Sequence, residues 1–120
     1  MKEVTFWTIM SDTDMSQKFK EFLEKSHCEE NLLFWIDAQQ FLFTPADITK
    51  DTLNAQAHML YKKYFESHSQ HALNVDASHT KKIKNCLDSN VHRAMFSDVQ
   101  RACLLLMEGD SIPKFKRTLK

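Results

Sequence analysis

At 120 residues, against a typical domain of ~150, the chain has room for one domain and one core, and 42% apolar with 27% charged residues is globular composition rather than intrinsic disorder. A single glycine, Gly109, and two prolines, Pro45 and Pro113, starve it of tight hairpin turns and of the Gly-rich dinucleotide, phosphate-loop and nucleophile-elbow motifs, which excludes an all-β fold and those three enzyme classes. Sixteen Lys plus Arg against sixteen Asp plus Glu give a net charge of +0, so nucleic acid is not an expected partner.

Val4 to Ile9 reads as a short terminal helix. The first long one opens after Asp12-Thr13-Asp14, a good N-cap neighbourhood, and carries Met15, Phe19, Phe22 and Leu23 at i, i+4, i+7 and i+8. It is expected to end near Lys25. The second starts around Ser26 to Cys28, with Ser26 and Glu29 read as a capping box and Glu29-Glu30 complementing the positive end of the macrodipole. Its body, Asn31 to Phe43, is apolar nearly all round and therefore central, until Thr44-Pro45 breaks it.

A third helix is predicted from about Thr49 to Glu66 on the stripe Leu53, Ala57, Leu60, Tyr61 and Tyr64. Ser67 to Ala77 is polar, His-rich and aperiodic, a loop. A fourth helix runs from Ser78 or His79 to about Leu87 with Ile83, Cys86 and Leu87 inward. After a short apolar touchdown at Val91, Met95 and Phe96, Ser97 and Gln100 read as a second capping box. The fifth helix then faces Val99, Ala102, Cys103 and Leu106 inward and ends at Gly109, expected in the left-handed conformation. Asp110 to Lys120 begins a turn or helix with Pro113 near its start. Five main helices with short terminal ones, joined by short breaks, predict an all-α antiparallel bundle. Trp7 and Trp35 are both expected in the core.

Chemistry is hard to find. Glu29 and Glu30 point about 100° apart on a helix and cannot flank one substrate atom. His68, His71 and His79 have a loose metal-like spacing with nothing nearby to complete a tetrahedral set, so no metal site is expected. Cys28, Cys86 and Cys103 are odd in number, far apart and set in apolar segments, which reads as buried free thiols in a reducing cytosol. The apolar stretch within Met1 to Met10 is too short for a signal peptide, and the longest apolar run, Ala102 to Met107, falls far below the ~18 residues of a membrane span. A soluble intracellular domain, or a piece of a larger chain, is expected. The basic residues Lys114, Lys116, Arg117 and Lys120 read as a solvated face.

Glu21-Phe22-Leu23-Glu24-Lys25 followed by Cys28-Glu29-Glu30-Asn31-Leu32-Leu33-Phe34-Trp35 closely resembles the signature of RGS domains, the regulators of G-protein signalling. Leu73-Asn74-Val75-Asp76 is similar to that family's V-N-[IL]-D loop, and Leu106 to Phe115 to its L-M-x-x-D-S-Y-P-R-F segment. Three blocks in the right order cover essentially the whole chain. The resemblance implies an all-α fold in which an antiparallel four-helix bundle, about residues 44–107, joins a terminal subdomain made of both chain ends, about 1–43 and 108–120, with the helix at 29–43 shared.

It implies, too, a GTPase-activating protein for heterotrimeric G-protein α subunits, with no catalytic residues and no cofactor of its own, since GTP and Mg²⁺ belong to the partner. Carried over by position, Glu30 and Asn31 match the acidic and amide residues that contact the switch segments. Asn74 matches the asparagine beside the partner's water-orienting glutamine. Asp110 matches the aspartate accepting from switch N–H groups, with Ser111 beside it, Lys114 able to orient it from i+4, and Leu106 on an apolar rim. His27 and Cys28 complete the implied contact set, standing where the family often has tyrosine and usually serine, as Lys114 stands for its arginine. The implied partner is the GTP-bound or transition-state α subunit, met by a monomer at the cytosolic face of the plasma membrane. The alternative is a non-activating RGS-homology scaffold or protein-interaction domain.

Overall fold

The caps decide where the helices begin. In the computed structural model, which describes residues 4–66, 69, 71–73 and 75–119, Thr5 opens α1 (Phe6–Ser11) with a reciprocal capping box: Thr8 N–H donates to Thr5 Oγ1 at 3.2 Å, and Thr5 N–H to Thr8 Oγ1 at 2.8 Å. Asp12 caps α2 (Thr13–Lys25) by accepting from Met15 N–H at 3.1 Å, and Thr49 caps α4 (Lys50–Tyr64) by accepting from Thr52 N–H at the same distance. Asp76 caps α5 (Ala77–Ser89). The remaining elements are α3 (Glu29–Leu42), a 3₁₀ turn at Arg93–Phe96, α6 (Ser97–Leu106), a π-helical turn at Met107–Ser111, and α7 (Ile112–Thr118). Every regular element among the described residues is helical, as composition and periodicity predicted.

Three predicted boundaries are corrected. Ser26 is not the N-cap of α3 but the C-cap of α2, and its hydroxyl donates back to the Phe22 carbonyl at 3.0 Å. The chain reverses through His27, whose φ of 58° is left-handed, while Cys28 N–H bonds Leu23 O at 3.0 Å and His27 N–H bonds Glu24 O at 3.2 Å. That bond pair is a Schellman closure, and it makes the reversal between α2 and α3. Ser97 likewise makes no capping box. It follows directly on the 3₁₀ turn with helical φ −63° and ψ −38°, so it lacks the extended backbone an N-cap needs, and Phe96 stands in that position instead.

Gly109 does not terminate α6 and has no positive φ. The helix continues through the π turn into α7, with Pro113 in its first turn, because Met107, Ser111, Ile112 and Phe115 are all buried and a stop at Gly109 would unseat them.

Two apolar clusters organise the molecule. Phe34, Ala38 and Phe41 of α3 pack with Ala57 and Tyr64 of α4, Ile83 of α5, Met95 and Phe96 of the 3₁₀ turn, and Val99 and Cys103 of α6. Phe6 and Ile9 of α1, Phe19 and Leu23 of α2, Leu32 of α3, and Met107, Ile112 and Phe115 form the other. Helix α3 serves both. Trp7, expected in the core, is 57% exposed and only leans edge-on against Phe6 and Trp35; Trp35 is half-buried. Leu106, expected inward, is 52% exposed, since the core side of α6 is already taken by Val99 and Cys103.

Polar clamps fix the relative positions of these helices. Gln100, 7% exposed, donates from Nε2 to the Trp35 carbonyl at 3.1 Å and to Gln39 Oε1 at 2.8 Å, tying α6 to α3. Arg93 reaches the α3–α4 connection, donating to Thr44 Oγ1 at 2.9 Å and to the Pro45 carbonyl at 2.6 Å. Tyr64 O–H donates to Asp37 at 2.5 Å beside the Lys63–Asp37 ion pair, and burial followed by that carboxylate pushes the phenol far above its usual pKa.

Candidate functional site

The Schellman reversal delivers the N-terminus of α3 to one edge of the molecule, and the π turn delivers Asp110 and Ser111 to the same edge. The Ser111 side chain, 5% exposed, and the charges of Glu30, Asp110 and Glu29 all bear on the Cys28 thiol. Burial is the largest influence on the thiol and raises its pKa, the three carboxylates add to the rise, and Ser111 opposes it. Residues about 80 positions apart in sequence thus act on one thiol.

Asp110 is exposed and held by Lys114, one helical turn on, at 3.0 Å from Nζ to Oδ1. A lysine engages one carboxylate oxygen as a point charge, which leaves Oδ2 free to accept from outside. Asn31 follows Glu30 and is half-buried, as Glu30 is. Glu30 also bears on the buried Cys103 thiol of α6, which burial first and this carboxylate second push up from 9.0 to about 12. The exposed side chain of Leu106 shares a helical face with Asp110, four residues on. His27, exposed and left-handed, borders the edge beside Cys28. Asn74 lies outside the described residues. Its loop is anchored on one side by the Leu73 N–H, which donates to the Tyr64 carbonyl at 2.8 Å.

Glu29 is the residue that sequence reasoning undervalued. Its role as a dipole charge in the first turn holds, but its Oε2 is buried with no hydrogen-bond partner among the described residues. No pattern in the sequence distinguishes it from Glu30, because burial at a helix start is set by tertiary packing rather than by local spacing.

Thiols whose pKa is raised are poor nucleophiles, so neither Cys28 nor Cys103 is primed for attack. Among the described residues no three His, Cys, Asp or Glu side chains converge to hold a metal ion; His68 of the loose histidine set lies outside them. What the edge offers is acceptors at Glu30 and Asp110, a cation at Lys114 and an apolar rim at Leu106. Among the described residues no helix is long and apolar enough to cross a membrane.

Residues 5–120 match the family described as the Regulator of G protein signaling domain. The chain is similar to Regulator of G-protein signaling 1 of Xenopus tropicalis, 26% identical over 97% of this chain and 58% of the relative. It is similar to the Developmental regulator flbA of Emericella nidulans, 31% identical over 93% of this chain and 19% of that protein, and to Regulator of G-protein signaling 8 of Danio rerio, 28% identical over 97% and 67%. The chain thus spans about three-fifths of the frog relative and about a fifth of the fungal one.

Proposed function

This chain belongs to the Regulator of G protein signaling domain family, and from that premise we propose that it accelerates GTP hydrolysis by a heterotrimeric G-protein α subunit, so ending the signal. The observation that supports this most is that Glu30 and Asp110, which lie far apart in sequence, both bear on the Cys28 thiol together with Ser111.

The reaction needs nothing catalytic from this chain. A Gα subunit carries its own arginine in cis and its own water-orienting glutamine, together with GTP and Mg²⁺; what limits it is the mobility of its switch segments. A rigid surface that binds those segments more tightly in their transition-state geometry than in the ground state lowers the barrier, whereas equal binding to both would not. Asp110, steadied by Lys114, accepts switch N–H groups; Glu30 and Asn31 hold the facing segment; Asn74 orients the partner's glutamine; Leu106 excludes water at the rim. His27 and Cys28 border the contact. The chain acts as a monomer, with no cofactor, wherever its membrane-associated partner lies.

Single-turnover GTP hydrolysis by a panel of purified Gα subunits tests the reading. Several-fold or greater acceleration on at least one is expected, and Asn74→Ala should abolish it while leaving the melting temperature within ~2 °C. No acceleration together with no binding to the GDP–aluminium fluoride form would refute the proposal. Binding without acceleration would establish the scaffold reading in its place.

A further inference from the structure

The two ends of the chain meet along a groove between α1 and α7. Val4 and Phe6 line it from one side and Ile112 and Pro113 from the other, and its charged residues are Lys116 and Arg117 against the single acid Glu108. Both cations are exposed, and neither is in an ion pair among the described residues, where the two such pairs are Lys63–Asp37 and Lys114–Asp110. The charge is locally unbalanced: α7 carries three cations and no acid, and α1 carries no charge, in a chain whose total is +0.

Exposed apolar surface accompanies these cations. Trp7 follows Phe6 on α1 and is 57% exposed, and Leu119, just past the end of α7, is 39% exposed. An indole has an apolar body and a polar N–H, a combination that favours the headgroup level of a bilayer. Because α1 has no charged side chain, bringing it to that level desolvates no ion, while unpaired cations beside it are drawn to anionic headgroups. An acidic peptide would satisfy Lys116 and Arg117 but gives Trp7 and Leu119 no apolar medium. We propose that the α1–α7 groove, with Lys116 and Arg117 along it and Trp7 beside it, is a docking surface for an anionic phospholipid membrane. The inference goes beyond the Gα reading and does not depend on it. The two surfaces are approached from different directions, since Lys116 stands about 160° around α7 from Lys114, which holds Asp110.

Cosedimentation of the 120-residue chain with phosphatidylcholine vesicles containing about one-third phosphatidylserine tests the proposal. Binding to these vesicles and not to phosphatidylcholine alone is expected, although the chain has no net charge to attract it. Lys116→Gln/Arg117→Gln should weaken binding about tenfold or more while moving the melting temperature by less than ~2 °C. Lys81→Gln/Lys82→Gln, which removes two exposed cations from α5, should leave binding as it was. Vesicles should shift tryptophan emission to shorter wavelength, and Trp7→Phe should abolish the shift. No binding to the phosphatidylserine vesicles, equal binding to phosphatidylcholine alone, or an equal loss when α5 is neutralised would overturn the inference. So would a chain that bound polyglutamate through Lys116 and Arg117 and ignored vesicles, which would assign the surface to an acidic protein segment. Failure to accelerate any Gα would remove the reading above and leave this one intact, and failure on vesicles would do the reverse.

Discussion

Replacing Gln100 with alanine tests whether α6 is held to α3 by its amide rather than by packing alone. The side chain is 7% exposed and donates twice, to the Trp35 carbonyl at 3.1 Å and to Gln39 Oε1 at 2.8 Å. Each bond contributes about 0.5–1.5 kcal/mol net. Trp35's carbonyl keeps its helical donor, but Gln39 Oε1 loses the partner it has in the fold, and truncation of a buried side chain leaves unfilled space. A total of about 2–4 kcal/mol follows. For 120 residues the unfolding entropy near 60 °C is ~250 cal/mol/K, so the melting temperature should fall by about 8–16 °C. Gln100→Met, which keeps most of the volume and removes the amide, should recover the packing part and leave the hydrogen-bonding part. Thermal unfolding followed by circular dichroism reads both variants. A drop below ~3 °C for Gln100→Ala would mean that apolar packing between α3 and α6 suffices and the clamp is incidental.

Cys103 makes stability fall in alkali: its folded pKa is raised from 9.0 to about 12, so its contribution is intact below pH 9 and is lost as pH rises toward 12, by up to about 4 kcal/mol. Urea midpoints of wild type and Cys103→Ala should accordingly converge between pH 9 and 12, and parallel curves would contradict the burial of that thiol. His27→Gly should relieve a left-handed residue at the Schellman closure and raise the melting temperature by about 2 °C, whereas an unchanged or lower value would place the cost of that φ elsewhere.

Periodicity located the helices because it reports burial, and their burial is what the sequence repeats every 3.6 residues. Leu53, Ala57, Leu60, Tyr61 and Tyr64 are all turned to the core of α3 to α6 as their stripe predicted. Local cap signals were less dependable, and for a common reason: Ser26 and Ser97 sit in good motifs, but each is overruled by what precedes it, a Schellman reversal in one case and a 3₁₀ turn in the other. Gly109 misled for a related cause, since a residue apt for ending a helix need not end it when Ser111, Ile112 and Phe115 are anchored beyond. Trp7 misled because size alone does not assign a side, and a short terminal helix has only one face to bury. The edge proposed for docking was legible only through the family resemblance. Nothing in the spacing of Cys28 and Ser111 announces that they influence one another, because that proximity depends on the π turn, and a π turn leaves no periodic trace of its own.

Helix α3 gives Phe34, Ala38 and Phe41 to one apolar cluster and Leu32 to the other. Slow amide exchange follows from that position, because a segment common to two cores is released only when both dissolve. The segments that belong to a single cluster, α1 and α7 on one side and α4 and α5 on the other, can open by themselves at lower cost. The molecule therefore breathes from its periphery while the helix that carries Glu30 and Asn31 stays closed, so half of the edge proposed for docking is held in place through such fluctuations.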